Sequence, residues 1–226
     1  AALDRDKIKT IEILNSGGVS TSEMISYKTL QDIQDHVTPE RGVFIKCRYG
    51  AEGKGITLIK PKCWLTNYKV ENGRLANYGV YDRWNFIDIT EKKELLEQLI
   101  EQEVIVEQEV VSPNLFEGKK FDFRIYVVND TVPHFFVRIN NFENVITNWS
   151  QGGKVIHNPK NKLAENVIES ISGEAKKAAM AFHSKLMGVD VMLDHVDNIP
   201  RVIELQSFTG FPDIRRFNLA KYLVES

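Results

Sequence analysis

The chain has 226 residues, with 29 Lys+Arg against 31 Asp+Glu, a net charge of -2, 42% apolar residues and 10% aromatic residues. That composition excludes an unfolded chain and gives no broad electrostatic argument for a nucleic-acid or membrane partner. No apolar run approaches the ~20 residues a membrane helix needs, and AALDRDKIKT has no signal-peptide core. The default expectation is therefore a cytoplasmic protein. Two cysteines, Cys47 and Cys63, make neither a disulfide framework nor a metal cluster, and both read as reduced thiols near a core. The chain runs into a helical pattern within a few residues, which suggests that a segment upstream is missing.

In chain order, Ile8, Ile11 and Leu14 fall at helical spacing, predicting a helix over Leu3–Asn15 that Gly17-Gly18 stops. A short strand at Met24–Tyr27 and a helix at Lys28–His36 follow. GVFIKCRYGAEGKGITLIK reads as strand, glycine-rich turn, strand. Trp64–Ile89 is turn-rich with short strands. Glu91–Gln102 is an amphipathic helix with Thr90 or Asp88 as its N-cap. EVIVEQEVV reads as a buried strand. FDFRIYVV alternates, with Phe121, Phe123, Ile125 and Val127 on one face and Asp122, Arg124 and Tyr126 on the other. The turn Asn129-Asp130-Thr131 returns the chain into VPHFFVRI. A three-residue loop puts Arg138 opposite Asp122, whereas a two-residue loop turns it away. A long helix over Ala164–Leu186, strands VDVML and RVIELQ around His195–Asn198, and a last helix over about Arg215–Val224 complete the chain. The order predicts an α+β protein of two lobes, residues 1–103 and 104–226, divided near Glu103.

Four groups of residues carry chemistry. Lys46, inside an apolar strand, precedes Gly50-Ala51-Glu52-Gly53-Lys54-Gly55. Three glycines let backbone N–H groups approach an anion, and an ammonium in an apolar strand calls for an anionic partner. The GxxxxGK[ST] spacing is absent, and a strand follows, so this is not a P-loop. Asp122 and Arg124 share one strand face. Asp190 lies in V-D-V; Glu204 and Gln206 lie in I-E-L-Q, on one face through the period of two. Two carboxylates and an amide oxygen on adjacent strands are hard ligands of the kind Mg²⁺ takes. Asn148 precedes Gly152-Gly153 and can bring an amide near phosphate. The five histidines share no ligand spacing, and no G-x-S-x-G elbow occurs.

Taken in order, these motifs resemble the ATP-grasp superfamily, most nearly the ribosomal-protein glutamate ligases and the tubulin–tyrosine ligase-like enzymes. FDFRIYVV is similar to the tyrosine-ligase strand, VITNWSQGG to the asparagine and double-glycine loop, and VDVML…RVIELQSFTGFPDI to the family's GVD…LEVN-x-x-PG ending. The likeness runs from Asp6 onward.

It implies an ATP-grasp fold in which two α+β lobes sandwich a nucleotide, here without the usual N-terminal α/β domain. Lys46 and Lys7 would hold phosphate, and Gly50–Gly55 would close over it. Glu109, Val110 and Val111 would pair with adenine through backbone groups. Asp122 would contact the ribose side. Arg124 and Arg138 would neutralise phosphate or the acyl group, with Asn148 at the γ-phosphate. Asp190, Glu204 and Gln206 would hold one or two Mg²⁺, or Mn²⁺ in their place.

The implied reaction joins a small-molecule or peptide carboxylate to an amine, or to a thiol, through an acylphosphate, releasing ADP and phosphate. An ATP-grasp phosphotransferase and a non-catalytic ATP-binding scaffold are the rival readings. No nucleic-acid or membrane partner is implied, and a homo-oligomer is compatible with the pattern. Two positions depart from the family: Gln206 stands where Asn is usual, and Ile146 where glutamate ligases carry Arg.

Overall fold

A computed structural model describes residues 3–50, 53–76, 85–148 and 152–226. The chain forms two compact units. One comprises Arg5–Ile8 and Ser22–Glu109; the other comprises Lys9–Thr21 and Val110–Ser226 and also includes Asp4.

The first unit is built on an antiparallel sheet of β1 (Val43–Cys47), β2 (Ile56–Lys60), β3 (Cys63–Thr66), β6 (Ile87–Asp88) and β7 (Val104–Gln108), in the order β6-β3-β2-β1-β7. A separate hairpin pairs β4 (Lys69–Glu71) with β5 (Arg74–Ala76). Val43 and Ile45 of β1 and Val104 and Val106 of β7 share a core with Leu95, Leu96 and Leu99 of α3 (Lys93–Ile100). This core keeps β7 with the first sheet. The division expected near Glu103 therefore falls after β7, between Glu109 and Val110.

Local chemistry explains smaller departures. The helix expected over Lys28–His36 is one short turn, α2 (Leu30–Gln34), started by a capping box between Thr29 and Asp32. Met24–Tyr27 forms no strand of its own: Met24 makes an isolated bridge to Glu107, and the Ile25 N–H reaches the Val106 carbonyl at 2.9 Å. Asp88 caps the turn ahead of α3, accepting the Thr90 N–H at 2.8 Å, while Lys92 occupies the N-cap position without a side-chain bond. Cys47 and Cys63 are half-buried free thiols, and burial, with Asp88 nearby, pushes the Cys63 thiol up.

The second unit is built on the antiparallel sheet β10-β9-β8-β11-β12: β8 (Lys120–Val128), β9 (Thr131–Asn140), β10 (Lys154–Ile156), β11 (Leu186–Leu193) and β12 (Pro200–Gln206). Phe121, Phe123, Ile125 and Val127 point into the core, as their alternation predicts, and meet Ile171, Ala175, Ala178 and Ala179 of α4 (Glu165–Ala181). Helix α4 ends short of the predicted Leu186 because His183 turns to φ 49° and Leu186 opens β11. Helix α1 (Lys7–Ser16) follows a short 3-10 turn at Leu3–Arg5 and buries Leu14 in this core. Gly17 lets α4 approach, since a Cβ there would lie 2.7 Å from that of Ala181. The last helix, α5 (Leu219–Glu225), begins later than predicted, where Asn218 accepts the Lys221 N–H. No helix among the described residues is long and apolar enough to cross a membrane.

Candidate nucleotide and metal site

The charged face of the second unit depends on two irregularities in the sheet. The β8–β9 loop has two residues, Asn129 and Asp130, at φ 46° and 62°. Both angles suit the tight turn that matches strand twist. Such a loop should turn Arg138 away, yet Arg138 pairs with Asp122, because a register shift between Tyr126 and Val128 adds one residue. A second shift, beside Asp190, passes over Ile203 in β12. It lets Val202 and Leu205 both enter the core while Glu204 and Gln206 stay on the opposite face. Asp190 is then directly opposite both Arg124 and Glu204, and Gln206 is opposite Gly188.

The side chains on this face form one network. Arg124 grips Asp190 through two nitrogens, with Nη2 at 3.1 Å, and its Nη1 donates to Gln206 at 2.9 Å and to the Thr209 carbonyl at 3.4 Å. Arg138 forks onto Asp122 at 2.7 and 2.6 Å and also reaches Asp190 at 2.9 Å. Burial pushes the Asp190 carboxyl up, but Arg124 and Arg138 outweigh it and hold the carboxyl below its ordinary range. Burial likewise works against charge on Arg138, and Asp122 and Asp190 more than restore it. The cationic charge that the buried acid requires is thus supplied by the chain itself.

Asn148 lies at the end of a loop fastened to the same hairpin. Lys120 and Asn140, opposite one another on β8 and β9, donate to the carbonyls of Val145 and Ile146 at 2.9 and 2.8 Å. Thr147 donates to Asp122 at 2.7 Å. A Cβ on Gly153 would lie 2.0 Å from the Thr147 carbonyl oxygen, so the second glycine of the pair permits this fold of the loop. The intervening Trp149, Ser150 and Gln151 lie outside the described residues.

In the first unit Lys46 does have an anionic partner. Its ammonium pairs with Glu107 of β7 and sits 5.3 Å from the centre of the Phe44 ring. The lysine is 15% exposed and the glutamate 5%. Lys7 reaches the glycine turn, donating to the Gly50 carbonyl at 3.1 Å. Gly53 and Gly55 adopt φ 73° and 68°, a region glycine enters freely. Lys54 lies between them, its carbonyl accepting from the Cys47 thiol at 3.6 Å. Ala51 and Glu52 lie outside the described residues.

The chain leaves the first unit at Glu109. Glu109 gives its N–H to the Gly42 carbonyl at 2.9 Å, and its carboxylate takes the Gly42 N–H at 2.8 Å and Lys60 at 3.0 Å. Val110 is buried, and the Val111 carbonyl accepts from the His195 N–H at 2.8 Å. Two of the backbone groups expected to pair with adenine therefore have protein partners.

Among the described residues, no three His, Cys, Asp or Glu side chains come together as metal ligands. What β11 and β12 present is a carboxylate pair, Asp190 and Glu204, beside the Gln206 amide. That set of hard oxygens suits Mg²⁺, which often binds one or two carboxylates and keeps waters and substrate phosphates for its other positions. Glu107, Thr147, Lys120, Asn140 and Thr209 were missed by sequence reasoning. The apolar run V-I-V ahead of Glu107 could have flagged it as a polar group in a buried strand; the others act by fastening loops, which leaves no pattern.

Comparison with known proteins fits this arrangement. Residues 4–199 match the family described as YheC/D like ATP-grasp. No curated protein sequence matches the chain. Among solved structures, D-alanine–D-alanine ligase from Bacillus anthracis complexed with ATP is similar over 99% of this chain, at 16% identity and a TM-score of 0.55. The ATP-grasp ligase PsnB, complexed with a phosphomimetic variant of its minimal precursor, Mg and ADP, is similar over 99% at 14% identity and a TM-score of 0.57. N5-carboxyaminoimidazole ribonucleotide synthetase from Thermotoga maritima is similar over 91% at 16% identity and a TM-score of 0.52. The chain spans 60%, 59% and 42% of these three proteins, respectively. With two antiparallel α+β units, their charged strands in the expected order and a family match over most of its length, the chain belongs to the YheC/D like ATP-grasp family.

Proposed function

We propose that the chain binds ATP with Mg²⁺ and activates a carboxylate for ligation to an amine. The observation that carries this reading is the gathering of Asp190, Glu204, Gln206, Arg124, Arg138 and Asp122 on one face of a sheet whose other face is core, in a chain of ATP-grasp fold. In this reading Lys46, Lys7 and the Gly50–Gly55 turn take the phosphates, Glu109–Val111 takes adenine and Asp122 takes the ribose side. Asp190, Glu204 and Gln206 hold the metal, which would neutralise triphosphate charge and orient the γ-phosphate. Arg124 and Arg138 release part of their hold on Asp190 and turn to phosphate or acyl oxygens, with Asn148 beside them. The substrate carboxylate attacks the γ-phosphorus, ADP leaves, and the amine then displaces phosphate to form the amide. Such chemistry rests on positioning and charge stabilisation and needs no covalent nucleophile.

Gln206 favours one second reading. It is a methylene longer than the family's Asn, and its oxygen accepts from Arg124. An ATP-binding module without turnover would tolerate that change.

The deciding experiment presents ATP, Mg²⁺ and a panel of amino-acid and peptide carboxylates with amines, and follows ADP and product by mass spectrometry. ADP with an amide product supports the ligase. ADP with a stable phosphoester supports the phosphotransferase. Tight ATP binding with no ADP across the panel supports the scaffold. Glu204→Ala should abolish Mg²⁺-dependent nucleotide binding or turnover and leave the fold intact by circular dichroism. Gln206→Asn should retain both; complete loss would give the longer amide a role of its own.

A further inference from the structure

Glycines make a turn that phosphate can approach, but they also make it pliable. A cradle of backbone N–H groups works only if something outside the turn holds its shape. In this chain both limbs of the turn after Lys46 are held by side chains that the phosphate reading leaves without a role.

On the entering limb, Arg48 forks onto Asp6, with Nε to Oδ1 at 2.9 Å and Nη2 to Oδ2 at 2.8 Å. Asp6 is 6% exposed, and a lone β-bridge joins it to Tyr49. The next residue, Lys7, gives its N–H to the Arg48 carbonyl at 3.2 Å and its ammonium to the Gly50 carbonyl. The ion pair therefore sets where Lys7 stands relative to the turn.

On the leaving limb, Asn67 is fully buried. Its Nδ2 donates to the Gly53 carbonyl at 2.6 Å, and its Oδ1 accepts the Ile56 N–H at 2.7 Å. Its own N–H returns to the Ile56 carbonyl at 2.9 Å. Beneath the turn, Cys47 Sγ sits so close that a Cβ on Gly50 or Gly55 would lie 2.4 or 2.6 Å from it. An ordinary hairpin turn needs none of these attachments.

We propose that the Asp6–Arg48 pair and Asn67 are positioning residues that clamp the two limbs of the glycine turn and present Lys7 and the N–H groups of Gly53, Lys54 and Gly55 to a nucleotide phosphate. The proposal rests on reading that turn as the phosphate site. A guanidinium fork fits a carboxylate in two places and an ammonium in one, so charge alone does not suffice at position 48.

The test measures affinity for Mg-AMPPNP by calorimetry, with the thermal midpoint, in wild type, Asp6→Asn, Arg48→Lys, Asn67→Ala and the exchanged pair Asp6→Arg/Arg48→Asp. Loss of a residue that orients a metal-ligating side chain costs roughly 10–100-fold, and an effect of that order is expected here. Asp6→Asn and Arg48→Lys should weaken binding by the folded protein by about that factor, and the exchanged pair should recover most of it. Wild-type affinity in both single variants, with a lowered midpoint, would make the pair merely structural and overturn the proposal. Asn67→Ala is the variant most prone to unfold, since Asn67 is fully buried, and the Asp6–Arg48 variants keep the test decisive if it does. Should wild type itself bind no nucleotide, the phosphate reading fails. The clamp is then decided by hydrogen exchange around Tyr49–Gly50, which quickens in Asp6→Asn if the entering limb is clamped and is unchanged if it is not.

Discussion

Replacing Arg138 with methionine is expected to lower the unfolding free energy by about 3–5 kcal/mol, the usual cost of removing one partner from a buried ion pair. Arg138 touches Asp122 and Asp190 together, and both acids are almost wholly buried. Methionine keeps much of the volume, so the loss reflects charge more than packing. Arg124 remains on Asp190, but Asp122 keeps only the Thr147 hydroxyl among its partners described above. Urea unfolding at neutral pH checks the size of the effect.

Acid gives the same claim a second reading. The Asp190 carboxyl is held below its ordinary range in the folded chain. A depressed carboxyl contributes stability above its unfolded value, ~3.9, and the contribution is lost as pH falls through the lower folded value. Wild type should therefore lose stability on acidification below about pH 4, and Arg138→Met should lose less, because part of that contribution is already gone. A variant as stable as wild type and equally acid-sensitive would mean that the network is not a coupled unit.

Lys46→Met is expected to weaken Mg-nucleotide binding by roughly 10–150-fold, the worth of a charged hydrogen bond of ~1.5–3 kcal/mol. It also strands Glu107, so the single variant should be less stable as well. Lys46→Met/Glu107→Gln removes the stranded charge. In the double variant stability should largely return while affinity stays low, which separates the lysine's contact with ligand from its contact with Glu107. Recovery of both would make Lys46 a structural cation.

Much of this was legible in the sequence. The alternation of FDFRIYVV gave the face of β8 that enters the apolar core, because a strand of period two puts its four apolar side chains on one side; the charged face is buried as well. The motifs appear in family order, and Asp190, Glu204 and Gln206 share the face predicted for them. The position of Arg138 was legible only as a choice between two loop lengths. The chain takes a third course, a two-residue turn with a compensating register shift, and an extra residue in a strand leaves no mark on the apolar pattern.

The sequence was also silent on how the charged groups are neutralised by one another. An ammonium in β1 argued for an anionic ligand and paired acids argued for a cation, and both arguments were sound about charge. Glu107 meets Lys46 from β7 and the arginines meet Asp190 from β8 and β9, contacts set by strand register that no single motif encodes. In the proposed function, each is a pair that a nucleotide or metal would have to share.

The most direct measurement of the account is calorimetric titration of the wild-type chain with AMPPNP, with and without Mg²⁺, beside Glu204→Ala and Lys46→Met/Glu107→Gln. The account predicts Mg²⁺-dependent binding by wild type, loss of the Mg²⁺ dependence in Glu204→Ala, and weakened binding in the double variant. Equal affinity in all three proteins, or no binding by a folded wild-type chain, would contradict it.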